Sequence, residues 1–138
     1  MKKILGMKLA RAGRKFGLDF IRLFGSGTGS IARARDIDIV FGEKKLDAGE
    51  LSEFQSDLTS LFGKPVDLVH LCSDLPPRLV IEIASTSTAL WNAPAGGREK
   101  YAVLMDRLQA IAQDEELAFT PEMRKISISI ANRRLRVP

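Results

Sequence analysis

Residues 23–41 constrain the fold of this chain more than any other stretch. The apolar residues just before and at its start predict a buried strand, and a turn with glycines at positions 25, 27 and 29 follows. Residues 36–41 then read DIDIVF, a second apolar run that carries two aspartates. Because side chains two residues apart in a strand point to the same face, we expect Asp36 and Asp38 on one face and Ile37 and Ile39 on the other.

Two carboxylates side by side in a strand are costly. Aspartate is depleted in strands, and two like charges about 5–7 Å apart at an effective dielectric of about 20 repel by about 2–3 kcal/mol. Either one carboxyl holds a proton or a cation lies between them. A divalent metal fits, since Mg²⁺ typically takes one or two carboxylates plus substrate phosphates, and the glycine turn offers backbone N–H groups to those phosphates. The stretch therefore predicts a site for a metal-bound nucleoside triphosphate.

The spacing of these motifs resembles a known family. Gly25-Ser26, nine intervening residues and then Asp36-Ile37-Asp38-Ile39 resemble the polymerase β-like nucleotidyltransferase superfamily, and in particular its minimal nucleotidyltransferase (MNT) branch. The resemblance covers about residues 15–110. It implies a third carboxylate on a neighbouring strand, and Asp67 within VDLV is at the expected place. Where many MNT proteins have Ala-Arg-Gly after Gly-Ser, this chain has Gly27-Thr28-Gly29.

The resemblance also implies an activity. Asp36, Asp38 and Asp67 would be the catalytic and metal-binding residues and would hold two Mg²⁺ ions, with Asp67 accepting the proton of the attacking hydroxyl. Gly25 and Ser26 would contact the phosphates of ATP or another NTP. The reaction would transfer an NMP, with AMP expected, to a hydroxyl acceptor. MNT-like proteins act with helical partners of the HEPN class, so the resemblance implies the antitoxin of an MNT–HEPN toxin–antitoxin pair.

Composition sets outer bounds on these readings. We expect 138 residues to form one nucleotidyltransferase domain, with a basic helical C-terminal tail at about 120–138. No apolar run approaches the roughly 20 residues of a membrane span, and the early cations exclude a signal peptide. The lone Cys72 excludes an internal disulfide and favours the cytoplasm.

Positive charge is concentrated at the two ends of the chain, which carries a net charge of +4. Six cations precede the first acid, Asp19, and five more follow residue 120. This pattern indicates either contact with RNA or an acidic partner, or two solvated helix faces. A protein that binds single-stranded nucleic acid would be expected to have aromatic residues interleaved with the cations, and this chain does not.

Hydrophobic periodicity predicts an α+β fold, with a small mixed sheet and helices packed on one face. We expect helices at 2–16, 47–62, 76–86 and 98–116, and strands at 19–25, 35–42, 66–71 and 89–92. A short helical piece is expected from Ser30, and Asp74 is a candidate helix cap. The pattern of the tail fits two structures. Ile126, Ile128 and Ile130 alternate as in a strand, whereas Met123, Ile126 and Ile130 have helical spacing. We favour the helix.

Other chemically active side chains have ordinary interpretations. His70 falls on the strand face opposite Asp67, so we expect a packed or rim histidine, and we expect Cys72 and Trp91 to be buried. Arg33 and Arg35 read as exposed cations. The aspartates themselves have a structural alternative, in which they pair with Arg33, Arg35 or Lys64.

Two other functions stay open. The chain can be a non-catalytic binding module with a nucleotidyltransferase fold, although its intact carboxylates argue against this. It can also be an antibiotic-modifying nucleotidyltransferase, although the absence of a second domain argues against that. The base of the nucleotide and the identity of the acceptor do not follow from the sequence.

Overall fold

The computed structural model describes residues 2–118. The four helices of this part lie close to their predicted positions, and so do the four strands. The predicted helical tail at 120–138 lies outside the described residues. In chain order the elements are α1 (Lys2–Lys15), β1 (Phe20–Phe24), a 3-10 turn (Gly25–Thr28), β2 (Ile37–Gly42), α2 (Ala48–Phe62), β3 (Val66–His70), α3 (Pro77–Thr86), β4 (Thr88–Asn92) and α4 (Gly97–Ala118).

The strands form one mixed sheet in the order β3-β2-β1-β4. β1 is antiparallel to both of its neighbours, β2 and β4. β3 is parallel to β2, because the chain crosses back through α2 before it re-enters the sheet. β3 and β4 are therefore the two edge strands, as predicted for the strand at 89–92.

The helices cover both faces of this sheet, so the prediction of helices on one face was wrong. One buried cluster joins α1 and α2 to Ile21, Leu23, Ile37, Ile39 and Phe41. The other joins α3 and α4 to Phe20, Phe24 and Val40. The physical reason is that β1 and β2 are apolar on both faces, and strands of this kind need a layer of packing on each side. The α+β class and the small mixed sheet are confirmed.

Local signals at the helix ends account for both boundaries of α2. Asp47 begins α2 with a capping box: its Oδ1 accepts the N–H of Glu50 at 2.8 Å, and Glu50 Oε1 accepts the N–H of Asp47 at 3.1 Å. Gly63 ends the helix at a φ of 69°, which is a left-handed conformation that favours glycine. α3 differs from expectation, because Pro76 is its N-cap without any side-chain hydrogen bond and Asp74 is not the cap.

Strand β2 starts at Ile37, two positions later than predicted, so Asp36 lies just outside it. The expected short helical piece also lies elsewhere, at Gly25–Thr28 instead of beginning at Ser30. Among residues 2–118, no helix has both the length and the hydropathy to cross a bilayer.

Helix α1 packs against β4 through a glycine. A Cβ atom added to Gly13 would lie 2.2 Å from the ring of Trp91, which packs against the α1–α2 cluster as predicted for a core residue. Such a distance forces the ring or the helix to move. The contact explains why a residue with poor helix propensity stands inside α1.

We predict that Gly13→Ala lowers the melting temperature, even though the same change inside an ordinary helix stabilises a protein by about 0.5–1 kcal/mol. Gly6→Ala is the matched control, since Gly6 is in the same helix and its added Cβ would have no neighbour within 4 Å. We expect Gly6→Ala to raise the melting temperature. Thermal unfolding of both variants checks this, and a rise for Gly13→Ala would contradict the packing.

Candidate functional site

Asp38 and Asp67 are cross-strand neighbours beside the turn that joins β1 to β2, and Asp36 directly precedes β2. Asp38 is paired with Phe24 on one side and with Asp67 of β3 on the other. Strand alternation places Asp38 and Asp67 on the face that α3 and α4 cover, together with Phe24 and Val40. Asp38 is only 5% exposed, whereas Asp67 and Asp36 are half-buried.

Gly25 brings the backbone of the turn against this pair. Its φ of 73° is in the left-handed region, and a Cβ atom on it would lie 2.5 Å from Oδ2 of Asp38. The turn is closed by the hydroxyl of Thr28, which donates to the carbonyl of Gly25 at 2.8 Å. The structure thus places the predicted phosphate-contacting turn in van der Waals reach of a buried carboxylate. The role of Ser26 stays a prediction.

The electrostatics of the cluster are unfavourable without a cation. Burial, followed by the negative charges of Asp67, Asp36 and Glu82, raises the pKa of Asp38 to about 7. Burial, followed by the charge of Asp36, raises the pKa of Asp67. Glu82, from α3, was missed by the sequence analysis, because a single acid in an amphipathic helix carries no signal of its target.

These carboxylates fit a divalent metal chemically, although they are not gathered into a ready-made cage. Oδ2 of Asp67 is buried and has no hydrogen-bond partner among the described residues. Hard oxygen donors with unbalanced negative charge are what Mg²⁺ prefers. Within residues 2–118, no set of three or more acidic, histidine or cysteine side chains converges closely enough to hold one ion. The remaining ligands of a bound metal would then come from the substrate phosphates.

Lys64 holds the segment that leads to Asp36. Its ammonium group donates to the carbonyls of Ile31, of Ala32 at 2.9 Å and of Ala34 at 2.8 Å. Next to it, the N–H of Ile37 donates to the carbonyl of Pro65 at 2.9 Å. Lys64 therefore bonds to main-chain carbonyls and not to an aspartate, which was one of the three pairings that the structural alternative allowed. The sequence analysis missed this role because the bonded positions are 30 or more residues away.

Arg22 connects β1 to the helices on the carboxylate face. Its Nε donates to the hydroxyl of Ser87 and its Nη2 to the Ser87 carbonyl, both at 3.0 Å. The guanidinium carbon lies 3.9 Å from the ring centre of Tyr101, which gives a cation–π contact. These contacts fix the end of α3, the helix that carries Glu82.

His70, Arg33 and Arg35 behave as expected, whereas Cys72 is less buried than expected. Nε2 of His70 lies 2.9 Å from the carbonyl of Glu43, and its ring packs beside Phe41, on the face opposite Asp67. His70 is thus a rim histidine. Cys72 is free but only half-buried. Arg33 and Arg35 are exposed, as predicted.

We predict that Asp38→Asn stabilises the metal-free protein, and more so at pH 8 than at pH 5. The pKa of Asp38 is about 7 in the folded protein and ordinary when unfolded, so its stabilising contribution is complete at low pH and is lost as pH rises through 7. Asparagine carries no charge to lose. Thermal unfolding in EDTA at both pH values measures the change in melting temperature. The control is Asp106→Asn, at an exposed position of α4. An equal change at the two pH values would contradict the assignment.

We also predict that Lys64→Met destabilises the protein by about 1–3 kcal/mol, because three carbonyl groups lose a charged donor while the aliphatic stem is kept. The control is Lys45→Met at an exposed position, for which we expect less than about 0.5 kcal/mol. Urea unfolding of both variants supplies the comparison. A loss of the same small size in both would mean that the Lys64 bonds contribute little.

Comparison with solved structures finds chains of toxin–antitoxin complexes. One is the complex of tri-AMPylated HEPN toxin with MNT antitoxin from Shewanella oneidensis, with a TM-score of 0.65, 22% identity, and coverage of 94% of this chain and 98% of that one. A second is the toxin–antitoxin MntA–HepT, with a TM-score of 0.64, 21% identity, and coverage of 93% of this chain and 97% of that one. A third is a toxin–antitoxin with AMP-PNP, with a TM-score of 0.61, 26% identity, and coverage of 82% of this chain and 93% of that one. No family model and no curated protein matches the chain.

Proposed function

This chain has the fold of the MNT antitoxins, and from that premise we propose that it is a metal-dependent nucleotidyltransferase. It transfers an NMP, with AMP expected, from an NTP to a hydroxyl group of a HEPN-type partner, and so acts as the antitoxin of the pair. The observation that carries this proposal is the direct pairing of Asp38 with Asp67 beside the Gly25 turn. If this pair of aspartates had only a structural role, no positive charge would compensate its negative charges.

The carboxylates are the residues that would hold the metal. Asp38 lies against the turn whose backbone would approach the triphosphate, Asp67 is its neighbour on β3, and Asp36 directly precedes β2. Bound Mg²⁺ supplies charge neutralisation for the phosphates and lowers the pKa of an attacking hydroxyl. The buried state of Asp38 excludes water from this contact, so the charge of the carboxylate is less screened than at the surface.

Asp67 is suited to receive the proton of the acceptor. Its pKa is raised, which makes it a stronger base than an ordinary aspartate, and its Oδ2 has no hydrogen bond to break among the described residues. In the reaction the acceptor oxygen bonds to the α-phosphorus, and the bond from that phosphorus to the bridging oxygen of the β-phosphate breaks. Pyrophosphate leaves, and the hydroxyl proton passes to Asp67.

The comparisons support the choice of substrate and partner. One similar structure holds AMP-PNP, and another contains a HEPN toxin that carries AMP groups. The basic exposed side of α1 offers a contact for RNA or for an acidic partner surface. A single domain and a cytoplasmic location stay predictions, the second resting on the lone Cys72.

We predict that this protein modifies a helical HEPN-type protein encoded by the neighbouring reading frame when the two are co-expressed. Intact-mass measurement should show that product heavier by one or more nucleotide units. Asp38→Asn and Asp67→Asn should lower transfer by about a hundredfold or more, because each removes a charge that the transition state needs. Asp106→Asn should transfer normally.

Two results would contradict the proposal. A complex without any change of mass would favour the non-catalytic binding module. Calorimetry gives the second, since Mg²⁺-ATP should bind more tightly than ATP in EDTA: the carboxylates repel a bare triphosphate. Equal affinity in the two conditions would exclude the proposed metal site.

A further inference from the structure

The outer edge of β3 is an unused hydrogen-bonding surface next to the carboxylates. β3 ends the sheet, with β2 on one side of it and no strand on the other within the described chain. Edge strands of this kind present main-chain N–H and C=O groups that can pair with another chain. Proteins that recognise extended peptides use such edges by adding the peptide as a further strand.

Hydrogen bonds on the two sides of β3 show which main-chain groups point outward. The Pro65 carbonyl accepts from Ile37, and the N–H of Leu71 donates to Phe41, so odd-numbered positions face β2. Even-numbered positions face away, and the carbonyl of Val66 accordingly accepts the side-chain amide of Gln55 at 2.7 Å. Leu68 follows on this outward side, and no partner for its N–H or C=O occurs between residues 2 and 118.

A groove runs along this edge and passes Asp67. One cavity of about 780 Å³ lies between α2 and β3, and a second of about 500 Å³ continues it toward Lys64 and Pro65. Gln55 and Asp67 line both cavities. Leu51, Leu68 and Val69 give the larger cavity an apolar wall although they are only half-buried.

We propose that the acceptor protein inserts an extended peptide segment along β3, as a fifth strand that pairs with Leu68. This inference rests on the proposed function, because it concerns how the hydroxyl reaches Asp67. Cross-strand neighbours on one face of a sheet have Cβ atoms about 4.5–5.5 Å apart. A hydroxyl-bearing residue of the added strand, opposite Asp67 and on its face, is therefore delivered beside the carboxylate.

The same features select the register and the kind of partner. The side-chain amide of Gln55 already donates to the Val66 carbonyl. The added strand therefore begins its pairing at Leu68 and does not extend back to Val66. Side chains of the added strand alternate between Leu51 and Leu68 on one face and Asp67 on the other. The lining of the two cavities contains two lysines, Lys45 and Lys64, against Asp67 and Asp74, and Lys64 is already bonded to main-chain carbonyls. This is too little positive charge for an RNA acceptor.

Leu68→Pro tests the proposal, with Leu68→Ala as the matched control. Proline removes the outward N–H but no bond to β2, a position where edge strands accept proline. The probe is the co-expressed HEPN-type protein, and transfer is read by intact mass. Leu68→Pro should lower transfer by about tenfold or more through the lost main-chain bond, whereas Leu68→Ala, which keeps that N–H, should lower it less. Mg²⁺-ATP affinity should be unchanged in both.

Hydrogen exchange of the wild-type complex gives an independent measurement, which holds even if Leu68→Pro fails to fold. The amide of Leu68 should exchange quickly in the free protein and slowly in the complex. The amide of Val69, which faces β2, should be slow in both. Unchanged exchange at Leu68, or equal transfer by Leu68→Pro and wild type, would overturn the docking proposal. Absence of transfer by the wild type would instead overturn the proposed function.

Discussion

The repulsion between the buried carboxylate of Asp38 and its half-buried neighbour Asp67 is the constraint on which the rest of this structure depends. Asp38 and Asp67 are direct neighbours across the parallel pair of β2 and β3, and the sheet is packed on both faces. Burial, followed by the charge of Asp67, raises the pKa of Asp38, and burial, followed by the charge of Asp36, raises the pKa of Asp67. Packing by α1 and α2 on one face and by α3 and α4 on the other holds the strands in this register against the repulsion.

At two places near the site, a cation of the chain holds the backbone or a helix in position and does not neutralise a carboxylate. Lys64 and Arg22 each stand three positions before a residue of the site. Lys64 bonds to three carbonyls of the loop before Asp36, and Arg22 bonds to Ser87 and lies over Tyr101. They hold the loop and the helices in place and leave the negative charge of the carboxylates for a ligand. A site that binds a metal triphosphate needs this combination of fixed geometry and uncompensated charge.

Local sequence patterns predicted most of the fold, because strand alternation, helix periodicity and glycine stops are short-range effects. The strands around Asp36–Asp38 followed from apolar runs, and Asp67 followed from a family resemblance. Three features did not follow. The second helix layer depends on β1 and β2 being buried on both faces, Asp74 competed with Pro76 for the start of α3, and Lys64 and Glu82 act on partners far along the chain. The catalytic roles of the carboxylates stay predictions.

The edge of β3, which has no partner strand among residues 2–118, has a consequence for the protein when it is alone. A second copy can add to an open edge as readily as a peptide can, which is a route to aggregation. Gln55 blocks only the first carbonyl of this edge, and β3 is just five residues long, a length that limits the hazard. The solubility of the chain would then depend on the supply of its occupant. Synthesis in balanced amounts with a binding protein would protect it from self-association.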